Sequence, residues 1–338
     1  MPSKSGALQL ASYFGQSPLP SMACARCIYP IAIHPKGNII ASGSWDATVR
    51  IWDARTGSEI ATLRAHRGDT TVPVYGLCFD SSGDRLVTTA GDGQMIVWDT
   101  ATFEILKQVD FLPAKPYTPV FSPDDKLLVV ACGGLVAFDG TTLERKQELR
   151  DPFLVGQDEY FVTDVSFSPK GTEFISYLGK QWVTRDHFTV WDASTLEPKS
   201  HIESPHDEIY TVVYSPDGSK VAMGHIQGSA SIWQADDMTQ PVAELTGHAE
   251  EVFDVAWLPN AGRLVTCGRD QTIRLWDTED YRQLAVLRGH EDYVFSLAVS
   301  PDEQLIASSS GDGTVRLWEA TPLWKRAAAR RTAESLRP

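Results

Sequence analysis

The chain has 338 residues, of which 42% are hydrophobic and 22% charged, enough apolar material for a full core in an ordinary globular protein. Its 44 acids against 30 bases leave a formal charge of −14, which disfavours phosphate backbones and anionic membranes as partners and favours basic proteins. No apolar run approaches the roughly 18 residues of a membrane span, the N-terminus lacks the apolar core of a secretory signal, and Cys24, Cys27, Cys78, Cys132 and Cys267 are too scattered for a disulfide framework, so a reduced, cytoplasmic protein is expected.

Taken in chain order, Gly6–Phe14 reads as a strand standing before the first regular unit, whose inner strand is Cys27–His34. From there a unit recurs. An aromatic residue followed by a polar one closes an alternating apolar run at Trp52-Asp53, Trp98-Asp99, Phe138-Asp139, Trp191-Asp192, Trp233-Gln234, Trp276-Asp277 and Trp318-Glu319. Six residues before the tryptophan, four of these copies carry an Asp (Asp46, Asp92, Asp270, Asp312), and four residues before each Asp stands a hydroxyl (Ser42, Thr88, Thr266, Ser308). Upstream, a turn signal separates two strands at His34–Gly37, Ser122–Asp125, Ser168–Gly171, Ser215–Gly218 and Ser300–Glu303, because Pro and Gly break a ladder and close a hairpin. Further upstream lies His66, His206, His248 or His290, so each unit predicts four short strands.

This pattern resembles the WD-repeat β-propeller family, whose blades are four-stranded sheets with Gly-His and Trp-Asp signatures. Seven copies in register, over about residues 8–319, imply an all-β, seven-bladed propeller of four-stranded antiparallel blades filling residues 1–320 as a single domain. A strand is missing after Trp318, so Gly6–Phe14 is expected to supply the outer strand of the last blade and close the ring. The basic tail, 321–338, is expected to be a helix or a flexible segment.

His, hydroxyl and Asp recurring together could form a nucleophile, base and carboxylate triad. The resemblance implies a structural tetrad instead, formed by His66, Thr88, Asp92 and Trp98, by His248, Thr266, Asp270 and Trp276, and by His290, Ser308, Asp312 and Trp318. A catalytic site occurs once, not three times. Blade three has lost the His and the Asp and carries Phe138 for Trp. Blade four has long insertions at Asp151–Phe161 and Gly179–Phe188, and blade five has Met223 and Gln227 at the hydroxyl and Asp positions. Blades three and four are therefore expected to be the least stable part of the ring.

Aligned on the turn signals, the inner strands place Tyr29, Tyr75, Tyr117, Thr163, Tyr210, Phe253 and Phe295 at one shared position, which traces a circle around the channel mouth. In WD-repeat proteins that read arginine-bearing peptides, aromatics at the corresponding position sandwich a guanidinium, and acids here (Asp207, Glu208, Glu250, Glu251, Glu291, Asp292) stand just upstream. Trp45, beside the turn residue Asp46, is a further candidate on that surface, as an interface anchor.

Cys24 and Cys27 have CxxC spacing without a second pair, and no phosphate-binding loop is present, so neither metal nor cofactor is expected. The expectation is a non-catalytic scaffold, taken to be a monomer, that binds a basic segment of another protein and neither nucleic acid nor membrane. A sensor of a small cation, and a propeller enzyme with its site at the channel mouth, are the alternatives.

Overall fold

The computed structural model describes residues 22–23, 28–67, 72–150, 161–179, 187–204, 209–260 and 262–320. They form seven four-stranded antiparallel sheets. The inner strands are Ile28–Ile33, Val74–Phe79, Pro119–Phe121, Phe161–Phe167, Ile209–Tyr214, Val252–Trp257 and Val294–Val299, and each contacts the inner strands of the blades on either side, the seventh meeting the first. The result is a seven-bladed β-propeller. The tail from 321 onward lies outside the described residues.

The hydrophobic pattern explains this arrangement. Second strands such as Ile39–Ser44, Arg85–Ala90 and Leu305–Ser310 are buried almost throughout, because both faces of a blade are covered by neighbouring blades. Outer strands such as Arg145–Leu149 face solvent and are charged. Each of the seven apolar clusters therefore joins two adjacent blades rather than filling one blade. Ala41, Val49 and Ile51 of blade 1, for example, pack on Leu86, Ile96 and Trp98 of blade 2. Ile31 and Trp52 of blade 1 pack on Val315 and Leu317 of blade 7, which seals the ring.

Closure is completed by an N-terminal strand, but not the one expected. Met22 and Ala23 pair antiparallel with Val315 and Thr314 of the last blade, whereas Gly6–Phe14 lies outside the described residues. The outer strand needs only a four-residue link (24–27) to reach the first inner strand, so the pairing falls close to it in sequence. On the face where the inner strands end, the hairpin turns are pinned to one another. The Ser81 N–H donates to Asp125 of the next blade at 2.9 Å, and Asn260 donates to Glu303 through its N–H (2.6 Å) and its amide (2.8 Å). The His34 ring donates to the Gly83 carbonyl at 3.0 Å, where a φ of 79° and the imidazole itself leave no room for a Cβ.

Candidate functional site

The three complete tetrads have the expected geometry. His248 reaches Asp270 at 2.9 Å and Thr266 at 2.8 Å, and Trp276 donates to Thr266 at 2.9 Å. In blade 7 the distances are 2.8 Å (His290 to Asp312), 2.7 Å (His290 to Ser308) and 2.8 Å (Trp318 to Ser308). His66, Asp92, Thr88 and Trp98 repeat the set with contacts of 2.8 to 3.3 Å. Each Asp also accepts the N–H that follows its His, from Arg67, Ala249 or Glu291, and so ties the incoming loop to the turn. Burial raises the Asp270 and Asp312 carboxyls, but hydrogen bonds from His248 or His290 and from Thr272 or Thr314 outweigh it and hold both well below the usual carboxylate range. Thr88, Thr266 and Ser308 are fully buried, and each hydroxyl links its blade's His and Trp.

Blade 5 builds a different network. His225 reaches Ser231 at 2.7 Å and Trp233 donates to the same hydroxyl at 2.7 Å, so the hydroxyl moves from the second strand to the third. Met223 signals the loss of the usual partner, but nothing local in the sequence names the substitute. His206 lies outside the described residues.

The aromatic circle has a backbone cause. Pairing between inner and second strands slips at Ile28/Ile31, Val74/Gly76, Val162/Asp164, Ile209/Thr211, Val252/Asp254 and Val294/Ser296. The extra residue is Tyr29 (with Pro30), Tyr75, Thr163, Tyr210, Phe253 or Phe295, the shared position in each of these six blades. A bulge leaves one residue unpaired and re-aims its side chain, and at five of these six positions that residue is aromatic. In blade 3 the Tyr117 N–H bonds the Ala131 carbonyl at 2.7 Å, just ahead of the regular ladder.

These rings touch. Tyr210 meets Phe253 at 5.2 Å, Phe253 meets Phe295 at 5.6 Å and Phe295 meets Tyr29 at 5.0 Å between centroids, an unbroken arc over blades 5, 6, 7 and 1. Tyr75 and Tyr117 form a second pair at 5.0 Å. A guanidinium between two rings needs about 7 Å, twice the contact distance of roughly 3.5 Å, so in this structure the rings present outer faces and edges rather than the slot that the resemblance implies. Tyr29 and Tyr210 remain 39% and 38% exposed, and Trp45, in the turn beside Tyr29, is 43% exposed. Between the arc and the pair lies blade 4, with Thr163 at the shared position.

Two carboxylates lie one residue further along the inner strands. Asp164 accepts the Val212 N–H at 3.0 Å, and Asp254 accepts the Leu297 N–H at 2.8 Å and the Ser296 hydroxyl at 2.9 Å, each acid bridging to the next blade. Burial raises Asp164 to about 7 and Asp254 to about 6, against the hydrogen bonds that they accept. The Tyr29 hydroxyl is pushed up to about 12, by burial first and then by Tyr210 and Asp254, although the residue as a whole is partly exposed. Sequence reasoning passed over both acids. Their signal is a charge where the other blades have Pro30, Gly76, Thr118, Thr211 and Ser296.

The rim acids are partly engaged. Arg269 donates to Glu251 at 2.6 Å and lies 3.2 Å from Glu250, with its guanidinium 5.1 Å above the Tyr293 ring. Asp292 accepts the Tyr293 N–H at 2.8 Å, and Glu208 lies outside the described residues, as do Cys24 and Cys27. Among the described residues no cluster of three or more His, Cys, Asp or Glu side chains is placed to hold a metal ion.

Residues 25–53, 57–99, 239–277 and 281–319 match the family described as WD domain, G-beta repeat, each segment ending at the copy's Trp-Asp or Trp-Glu. Denticleless protein homolog B of Xenopus laevis is 37% identical over 304 residues, covering 75% of this chain and 42% of that protein. The Denticleless protein homolog of Danio rerio is 25% identical over 290 residues (74% of this chain, 44% of that protein). Target of rapamycin complex subunit LST8 of Mus musculus is 25% identical over 262 residues (72% of this chain, 73% of that protein). The chain thus spans less than half the length of these Denticleless relatives. With seven blades, three complete tetrads and these matches, the chain belongs to the WD-repeat β-propeller family.

Proposed function

We propose that the protein is a non-catalytic interaction scaffold, a monomer acting in the cytoplasm, that captures a basic, Arg- or Lys-bearing segment of a partner protein on the face where the inner strands begin. The observation that carries this reading is the coincidence of an aromatic arc, set at bulged positions, with the buried carboxylates Asp164 and Asp254 beneath it. Aromatic faces attract a cation, and a cation seated above Asp164 and Asp254 would favour their ionised forms. Being a subunit of a larger assembly, as the name of the LST8 relative states for that protein, accords with a scaffold role.

The test is affinity capture from host lysate with wild-type protein beside a variant carrying Tyr210→Ala, Phe253→Ala and Phe295→Ala. A basic partner held by the wild type and lost by the variant, with the melting midpoint lowered by no more than about 5 °C, supports the reading. Equal recovery by both proteins removes the aromatic arc from the interface.

A further inference from the structure

We propose that Arg269 is the binding face's own cation, seated where a partner's guanidinium must go, and that the natural ligand is therefore an arginine rather than a lysine. The inference rests on the proposed capture of a basic segment and adds which cation is read, and where.

The geometry is that of an occupied guanidinium site. Arg269 stands in the turn of blade 6 at the position that Trp45 holds in blade 1, and its N–H is anchored on the Glu251 carbonyl at 2.9 Å. Its Nη1 donates to Glu251 at 2.6 Å, its Nε lies 3.2 Å from a Glu250 oxygen as an ion pair, and its Cζ lies 5.1 Å from the centre of the Tyr293 ring. Tyr293 in turn meets Phe253 and Phe295, each at 6.2 Å, so the seat is continuous with the aromatic arc. One hydrogen-bonded carboxylate, a second carboxylate within ion-pair distance and an aromatic ring beside the guanidinium carbon suit a delocalised, weakly hydrated cation better than the compact point charge of an ammonium.

Arg269 remains 41% exposed, so the contact is exchangeable rather than locked. Its presence neutralises the acids that a basic partner would seek. Because the arc rings touch one another and leave no slot, this seat is where the face already shows how it holds a guanidinium.

The probe is a labelled peptide with one central arginine in a neutral background, beside its lysine counterpart, titrated against the wild type, Arg269→Gln and the double variant Arg269→Gln, Glu251→Gln. Vacating the seat should tighten arginine-peptide binding roughly five- to tenfold, the scale of a surface ion pair plus a cation–π contact, with a smaller gain for the lysine peptide. The double variant should lose that gain. Equal or weaker arginine-peptide binding by Arg269→Gln, or equal gains for both peptides, overturns the inference while leaving capture of a basic segment standing. Absence of binding to all three proteins removes that reading and this inference with it.

Discussion

At the scale of single residues, two groups of carboxylates pull the pH dependence of stability in opposite directions. Asp270 and Asp312 are held below their ordinary range by their partners, so the stability they contribute is present above about pH 4 and is lost as the pH falls further. Asp164 and Asp254 are raised to about 7 and about 6, so the folded chain keeps protons there that the unfolded chain has released. Their share of stability is complete below about pH 4 and is lost as the pH rises through 6 to 7. Asp164→Asn, which keeps an oxygen for the Val212 N–H but gives up the one that accepts the Val165 N–H, should flatten the slope of stability between pH 5 and 8. Urea midpoints across that range check it, and an unchanged slope assigns the dependence to other groups. In the tetrads, Asp312→Ala strands His290 and the Glu291 N–H and should cost about 3 kcal/mol. The loss should be far from additive with His290→Ala in a double-mutant cycle, and strict additivity would mean the two side chains do not act as one unit.

At the scale of elements, the seven blades are not equivalent. Blades 6 and 7 carry complete tetrads, while Phe138 in blade 3 has no N–H to offer its second strand, and in blade 4 the described residues show the Trp191 N–H bonded to Ser176 at 2.9 Å. Amide hydrogen exchange should accordingly be faster in the second and third strands of blades 3 and 4 (Leu127–Asp139 and Glu173–Asp192) than in those of blades 6 and 7. Equal protection around the ring would show that inter-blade packing alone sets local stability. The inner-strand bulges act at this scale too. An unpaired residue at the same position in six blades frees the recurring aromatics of five of them from the ladder, and the rings of blades 5, 6, 7 and 1 then meet in an arc. The recurrence was legible in the sequence, because the turn signals fix the register. The bulge that gives it meaning was not, since one extra residue leaves the alternation readable on either side.

At the scale of the whole molecule, the apolar clusters lie between blades, so no blade is complete without its neighbours, and the first and last must meet. Deleting residues 1–23 removes the Met22–Ala23 pairing and bares the edge of Thr314–Glu319. The truncated chain should melt several degrees lower and scatter light as associated species at concentrations where the full chain does not. A monodisperse truncation with an unchanged melting midpoint would show that packing of blade 1 on blade 7 closes the ring unaided.

By itself the sequence determined the repeat, the number of blades, the tetrad residues and the shared aromatic position, because each rests on local spacing that the chain must keep to bury its own strands. Only the tertiary structure decided what distant blades do to one another. It placed the closing strand at Met22–Ala23, brought Asp164 and Asp254 to the next blade's backbone, packed the aromatic rings against each other, and brought Tyr293 of blade 7 against Arg269 of blade 6. The reason is geometric. Spacing within one repeat sets which residues share a circle, but ring contacts and charge burial between blades are set by how far the blades turn about the axis when the ring closes.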